Sequence, residues 1–117
     1  LWVDDEEMLH TVTAISGSGP AYVFYFIESM QQAGIELGLT PKQARQLSLQ
    51  TFVGASKLAS LSDEDAATLR TRVTSKGGTT EQAIQVMEKN DVKSKIMAAI
   101  NAASERSKEM SNEFSKL

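Results

Sequence analysis

The sequence predicts an all-α fold of about five helices, and three observations carry that reading. Apolar residues recur three and four apart through every long segment. Helix-capping signals open most of those segments. No alternating apolar–polar run survives as a strand.

The elements follow in order. Leu1 to Leu9 is acidic and reads as a short helix or the end of a linker. Ser18 can cap a helix that opens with Gly19 and Pro20, since proline is tolerated in a first turn. The unbroken run Ala21 to Ile27 would suit a buried strand by itself. The continuation decides for a helix, because Phe26, Met30, Ala33 and Leu37 share one face and Gly38 is a natural stop. Its first half should be buried nearly all round. Thr40-Pro41-Lys42-Gln43 is a capping box with proline at the first helical position. The helix it opens runs to about Ser60, with Ala44, Leu47, Thr51, Ala55 and Leu58 along one face. Gly54 costs that helix about 1 kcal/mol relative to alanine, so a neighbour close to its backbone is expected. Ser62-Asp63-Glu64-Asp65 caps a third helix to about Val73. Thr79 with Gln82 reads as a second capping box, opening a fourth helix that stops near Asn90. A last helix starts near Asp91, with Ile96, Ile100, Ala103, Ser107, Met110 and Phe114 in a heptad-like stripe.

Composition narrows the function. The chain has 117 residues, which fits one domain, residues 1–117. The formal net charge of −3 gives no support to nucleic-acid binding. Cysteine is absent, excluding disulfides, thiolate zinc sites and a cysteine nucleophile, and suiting a cytoplasmic location. The one histidine, His10, excludes a multi-histidine metal site within one chain, so no metal is expected. No apolar run approaches the ~20 residues of a membrane helix, and no signal peptide is visible. The chain begins with Leu1 rather than methionine, so a processed chain or a piece of a longer one is expected. Every helix has an apolar face, and the helix after Pro20 is apolar beyond one face. That excess points to an oligomer.

Few motifs carry chemistry. Ser16-Gly17-Ser18-Gly19-Pro20 resembles a phosphate loop poorly. The third glycine of GxGxxG would fall at Tyr22, so a tight turn into a helix is the better reading. Ser75-Lys76-Gly77-Gly78-Thr79-Thr80 is richer. Two glycines can expose amides, three hydroxyls lie within six residues, and a helix begins there with its positive dipole end. A pocket for a carboxylate or phosphate and an ordinary capped turn both fit, the turn being the commoner object. Glu28 in an apolar helix reads as a rim or paired acid rather than a general base. Gln50 and Thr51 read as polar groups within a helix interface, His10 as structural or exposed, and Arg106 and Lys108 as solvated charges.

Taken together, several blocks resemble one family. They are Trp2-Val3-Asp4-Asp5-Glu6, Thr13-Ala14-Ile15-Ser16-Gly17-Ser18-Gly19-Pro20-Ala21-Tyr22, Ala33-Gly34 with Gly38-Leu39, Gln50-Thr51-Phe52-Val53-Gly54-Ala55, and Val73-Thr74-Ser75-Lys76-Gly77-Gly78-Thr79-Thr80. Their order and spacing are similar to those of pyrroline-5-carboxylate reductase, over that family's C-terminal domain only. The resemblance implies an interleaved dimeric helical bundle that serves for dimerisation and substrate binding, larger assemblies also occurring. It implies an N-terminal Rossmann domain, absent from this chain, that binds NADPH or NADH. The implied reaction is reduction of 1-pyrroline-5-carboxylate to L-proline, the last step of proline biosynthesis. By resemblance, the Ser75 hydroxyl and the amides of Gly77, Gly78 and Thr79 hold the substrate carboxylate, and the Thr80 hydroxyl faces the ring nitrogen. The family usually has proline where this chain has Lys76, which frees the loop backbone and adds a cation near an anion site. The isolated chain is expected to be inactive. A ligand-free helical dimerisation module, or the helical domain of another dehydrogenase for a small acid, stand as alternatives.

Overall fold

The computed structural model describes residues 5–116. Among them are six α-helices, one π-helical turn and no strand. The helices are α1 (Glu6–Val12), α2 (Gly19–Glu36), α3 (Pro41–Leu61), α4 (Ala66–Arg72), α5 (Thr79–Lys89) and α6 (Val92–Ser115). The expected five helices are α2 to α6. The addition is α1, which forms where the acidic start allowed a short helix. The Asp5 carboxylate accepts from the Glu7 amide at 2.9 Å, and Glu6 and Glu7 lie at the positive end of the dipole. The expected contribution of Leu1 to Asp4, including most of the Trp2 block, lies outside the described residues.

The helix break expected at Ser18 takes a different form. Thr13–Gly17 is a π turn that connects α1 to α2 through helical backbone. Its wider ring is closed by the Ser18 amide donating to the Thr13 carbonyl at 2.9 Å. The Tyr22 hydroxyl donates to the Ala14 carbonyl at 2.8 Å, giving that carbonyl a partner where the regular ladder is disturbed. Ala14 is wholly buried.

The described residues fall into two compact units. One comprises those up to Val23 and those from Met87 onward; the other is Phe24–Val86. In the first, α6 packs against the π turn and α1. His10 Nδ1 lies 2.8 Å from the Ser107 hydroxyl, so His10 is structural. Ile100, Ala103 and Ser107 of the predicted stripe are half-buried, whereas Ile96, Met110 and Phe114 are exposed. Arg106 reaches Glu109 and Glu113, and Lys108 reaches Glu105, on an exposed face where such pairs contribute little.

In the second unit, α2 ends in a paired-bond cap. Gly38 takes φ +111°, its amide donates to the Ile35 carbonyl, and the Leu39 amide donates to the Gly34 carbonyl. The predicted Thr40 capping box is present with both of its bonds, Gln43 amide to Thr40 hydroxyl at 3.1 Å and Thr40 amide to Gln43 side chain at 3.0 Å. These two caps turn the chain back, so α3 meets α2 where a β-carbon on Gly34 would stand 3.4 Å from that of Ala44. Ala44 and Ser48 are buried, and Phe26 meets Phe52 edge-on with ring centres 5.9 Å apart. The α3 face turned inward is therefore Ala44, Ser48 and Phe52. Leu47 and Leu58, expected on the buried face, are exposed. Asp65 caps α4. Hydrogen bonds from the Thr68 side chain and backbone amide hold its carboxyl below the usual carboxylate range.

The chain leaves most of its apolar residues uncovered. Its accessible surface is 9616 Å², against about 6,200 Å² for a closed monomer of this mass. Only Ala14, Ala44 and Ser48 are buried among the described residues. The expectation that the first half of α2 is buried all round is not met by the single chain, where Phe24 is 66% and Tyr25 73% exposed. Leu37, placed on the apolar face by its spacing, is 89% exposed. Nothing lies within 4 Å of a β-carbon built on Gly54, so no described residue is the close neighbour expected there. The physical reason is common to all three. Sequence hydrophobicity reports what must be covered, not which molecule covers it. No described helix is long and apolar enough to cross a membrane.

Candidate functional site at the α4–α5 turn

The turn between α4 and α5, with the first two residues of α5, carries every predicted site residue. The chain leaves α4 at Val73, whose amide donates back to the Arg70 carbonyl, and reaches the first residue of α5 at Thr79. Two glycines shape what lies between, for two different reasons. Gly77 takes φ +75°, a region that side chains with a β-carbon disfavour. Gly78 is pressed against Ser75: a β-carbon there would stand 2.7 Å from the Ser75 hydroxyl and 3.2 Å from its carbonyl oxygen. The Gly78 amide donates to that carbonyl at 3.0 Å. Ser75, Lys76, Gly77 and Thr79 are exposed, whereas Gly78 and Thr80 are half-buried.

The start of α5 differs from the sequence expectation by one residue. Thr79 is the first helical residue rather than the cap. The first carbonyl to accept is that of Gly78, from the Gln82 amide at 3.3 Å. The side chain that reaches back is Glu81, not Gln82. Glu81 Oε1 accepts from the Gly77 amide at 3.0 Å. The amides of Thr79 and Thr80 lie in the first turn, ahead of any carbonyl that the helix could offer them. The site thus gathers glycine backbone, the serine and threonine hydroxyls, the positive end of an eleven-residue helix and one carboxylate already seated on an amide. Glu81 is the residue that sequence reasoning missed. Its signal is a glutamate three residues after Gly78, the residue that precedes the helix, although the amide it takes is that of Gly77.

Other candidates separate from this turn. Glu28 is exposed on α2, which removes the environment a buried general base needs. Gln50 and Thr51 are exposed on α3. Among the described residues no group of three histidine, cysteine, aspartate or glutamate side chains could hold a metal ion.

The backbone requirement at Gly78 yields a direct prediction. Gly78→Ala turns the Ser75 hydroxyl aside and pushes its carbonyl slightly away, a cost of about 1 kcal/mol. A lowered urea midpoint with an unchanged slope is expected. A midpoint equal to that of the unsubstituted chain would show that the turn accommodates the methyl group without moving.

An all-helical fold with large uncovered apolar faces and an amide-rich turn at a helix start defines a helical assembly domain with a candidate small-anion site. The comparisons name the family. Residues 6–110 match the family model described as pyrroline-5-carboxylate reductase dimerisation, and the chain belongs to that family. It is 46% identical over 114 residues to the pyrroline-5-carboxylate reductase of Pseudomonas aeruginosa, covering 97% of this chain and 42% of that protein. It is 38% identical over 111 residues to the reductase of Pisum sativum, covering 95% of this chain and 41% of that one. Among solved structures, a pyrroline-5-carboxylate reductase from Coxiella burnetii superposes with a TM-score of 0.89 at 43% identity, over 93% of this chain and 40% of that one. The Plasmodium falciparum pyrroline carboxylate reductase with NADP bound gives a TM-score of 0.87 at 40% identity, over 91% of this chain and 42% of that one. The chain spans about two-fifths of the length of the relatives it matches.

Proposed function

We propose that this chain is the dimerisation and substrate-binding part of a pyrroline-5-carboxylate reductase, an oxidoreductase that reduces 1-pyrroline-5-carboxylate to L-proline in proline biosynthesis. The family assignment supports the activity. The observation that carries the substrate role is the Ser75–Thr80 turn, where two glycines with distinct backbone needs stand at the positive end of α5.

The chemistry follows from the substrate. Reduction adds a hydride to the imine carbon, and the nitrogen gains basicity and a proton as its double bond is lost. The hydride comes from NADPH or NADH. The family resemblance implies that a Rossmann domain of the whole protein binds it. The part played here is orientation. The Ser75 hydroxyl and the amides of Gly77, Gly78 and Thr79 hold the carboxylate, which fixes the ring, and the Thr80 hydroxyl hydrogen-bonds the ring nitrogen. For Gly77 and Gly78 this requires their present partners, the Glu81 side chain and the Ser75 carbonyl, to yield or share when substrate enters.

The exposed faces of α2 and α3 are covered by a second copy of the chain, making a homodimer that larger assemblies can use as a unit. The surface excess and the open space beside Gly54 support this. The enzyme works in the cytoplasm, in keeping with a chain free of cysteine.

Ser75→Ala in the whole reductase tests the carboxylate site. Losing one charge-assisted hydrogen bond costs about 1.5–3 kcal/mol, so inhibition by proline weakens by roughly an order of magnitude or more. Unchanged inhibition would remove Ser75 from the site.

A further inference from the structure

The Glu81 carboxylate accepts from an amide that the substrate's own carboxylate is proposed to use. Oε1 lies 3.0 Å from the Gly77 nitrogen. Glu81 is half-buried in the first turn of α5, where the helix dipole favours a negative charge. The same field would attract a bound acid. The cradle therefore already contains a carboxylate, supplied by the chain itself.

We propose that Glu81 is an internal competitor for the carboxylate cradle: it occupies the Gly77 amide in the empty site, is displaced or shares when the substrate acid binds, and returns as the product acid leaves. The inference rests on the carboxylate-site reading above. Its consequence is a specificity-setting one. Glu81 lowers the affinity of every carboxylate ligand, by holding a donor and by repelling the incoming charge. Ligands without a carboxylate do not feel the repulsion. A purely structural role for Glu81, pinning the Gly77 loop, predicts the opposite sign, because loosening the loop would weaken binding.

The test is equilibrium binding of L-proline and of L-prolinamide, which keeps the ring ammonium and lacks the carboxylate, to the whole reductase, comparing the unsubstituted enzyme with Glu81→Gln, Glu81→Ala and Ser75→Ala. Glutamine keeps an oxygen that can accept from Gly77 but carries no charge, so it preserves the turn. Competition predicts that both Glu81 variants bind proline tighter, by about 3–10-fold. Prolinamide, a cation with no carboxylate, should bind no tighter to either variant, since both remove a negative charge that attracts it. Weaker proline binding in Glu81→Ala would assign Glu81 to loop support and overturn the proposal, and so would equal affinity in all Glu81 variants. Ser75→Ala separates the two levels. If it weakens proline binding while the Glu81 variants leave it unchanged, only the competitor role fails. If it has no effect, the carboxylate site itself fails, and the competitor with it.

Discussion

Thr80→Ala in the whole reductase should lower kcat by about 100-fold while leaving the fold as stable as before, or slightly more stable. The two halves of this expectation have separate causes. Thr80 is the second residue of α5 and half-buried. Alanine is the better helix former by a few tenths of a kcal/mol, so nothing in the helix is lost. The hydroxyl, however, is the group assigned to the ring nitrogen, where charge changes most as the carbon–nitrogen double bond is reduced. Removing a donor or acceptor aimed at such a centre typically costs two to three orders of magnitude in rate. Steady-state kinetics together with a urea melt decides the matter. A kcat within twofold of the parent would sink the assigned role. A loss of activity that tracks a loss of stability would place Thr80 in the architecture instead.

Phe24→Asp should abolish stable dimers. Phe24 is 66% exposed and Tyr25 73% exposed in the single chain, one turn along from Ala21 on the same side of α2. Covered by a second copy, that patch becomes an apolar interface, and an unpaired carboxylate placed in it costs about 3–5 kcal/mol. That corresponds to about two to three and a half orders of magnitude in the dimer dissociation constant. Sedimentation equilibrium of the variant should show monomer at concentrations where the parent is dimeric. If Phe24→Asp dimerises as tightly as the parent, α2 does not form the interface.

How far these features were legible depends on whether their cause was local. The Thr40–Gln43 box and the Gly38 stop were read correctly because both are decided by residues within a turn of each other. The start of α5 was read one residue late. Glu81 and Gln82 can each reach back over the turn, and the box spacing does not say that Glu81 closes on the Gly77 amide four residues before it. The Ser107 partner of His10 was missed because 97 residues separate them, although a polar residue inside an apolar stripe was a visible sign. The inward face of α3 was shifted by about one position, from Leu47 to Ser48, because Gly34 brings α2 close enough that only small side chains fit between. The apolar excess of α2 was legible, but hydrophobicity carries no address. It predicted coverage that the single chain does not provide. The site residues themselves were chosen from their backbone chemistry and from family resemblance. The turn geometry gives a physical reason for both glycines.

The central claim is that these helices are completed by a second copy of the chain. Light scattering across a dilution series measures this most directly. A solution mass near twice 12.7 kDa that persists on dilution is the predicted result. A stable monomer, with helicity and cooperative unfolding retained, would contradict the claim and with it the interface assigned to α2 and α3.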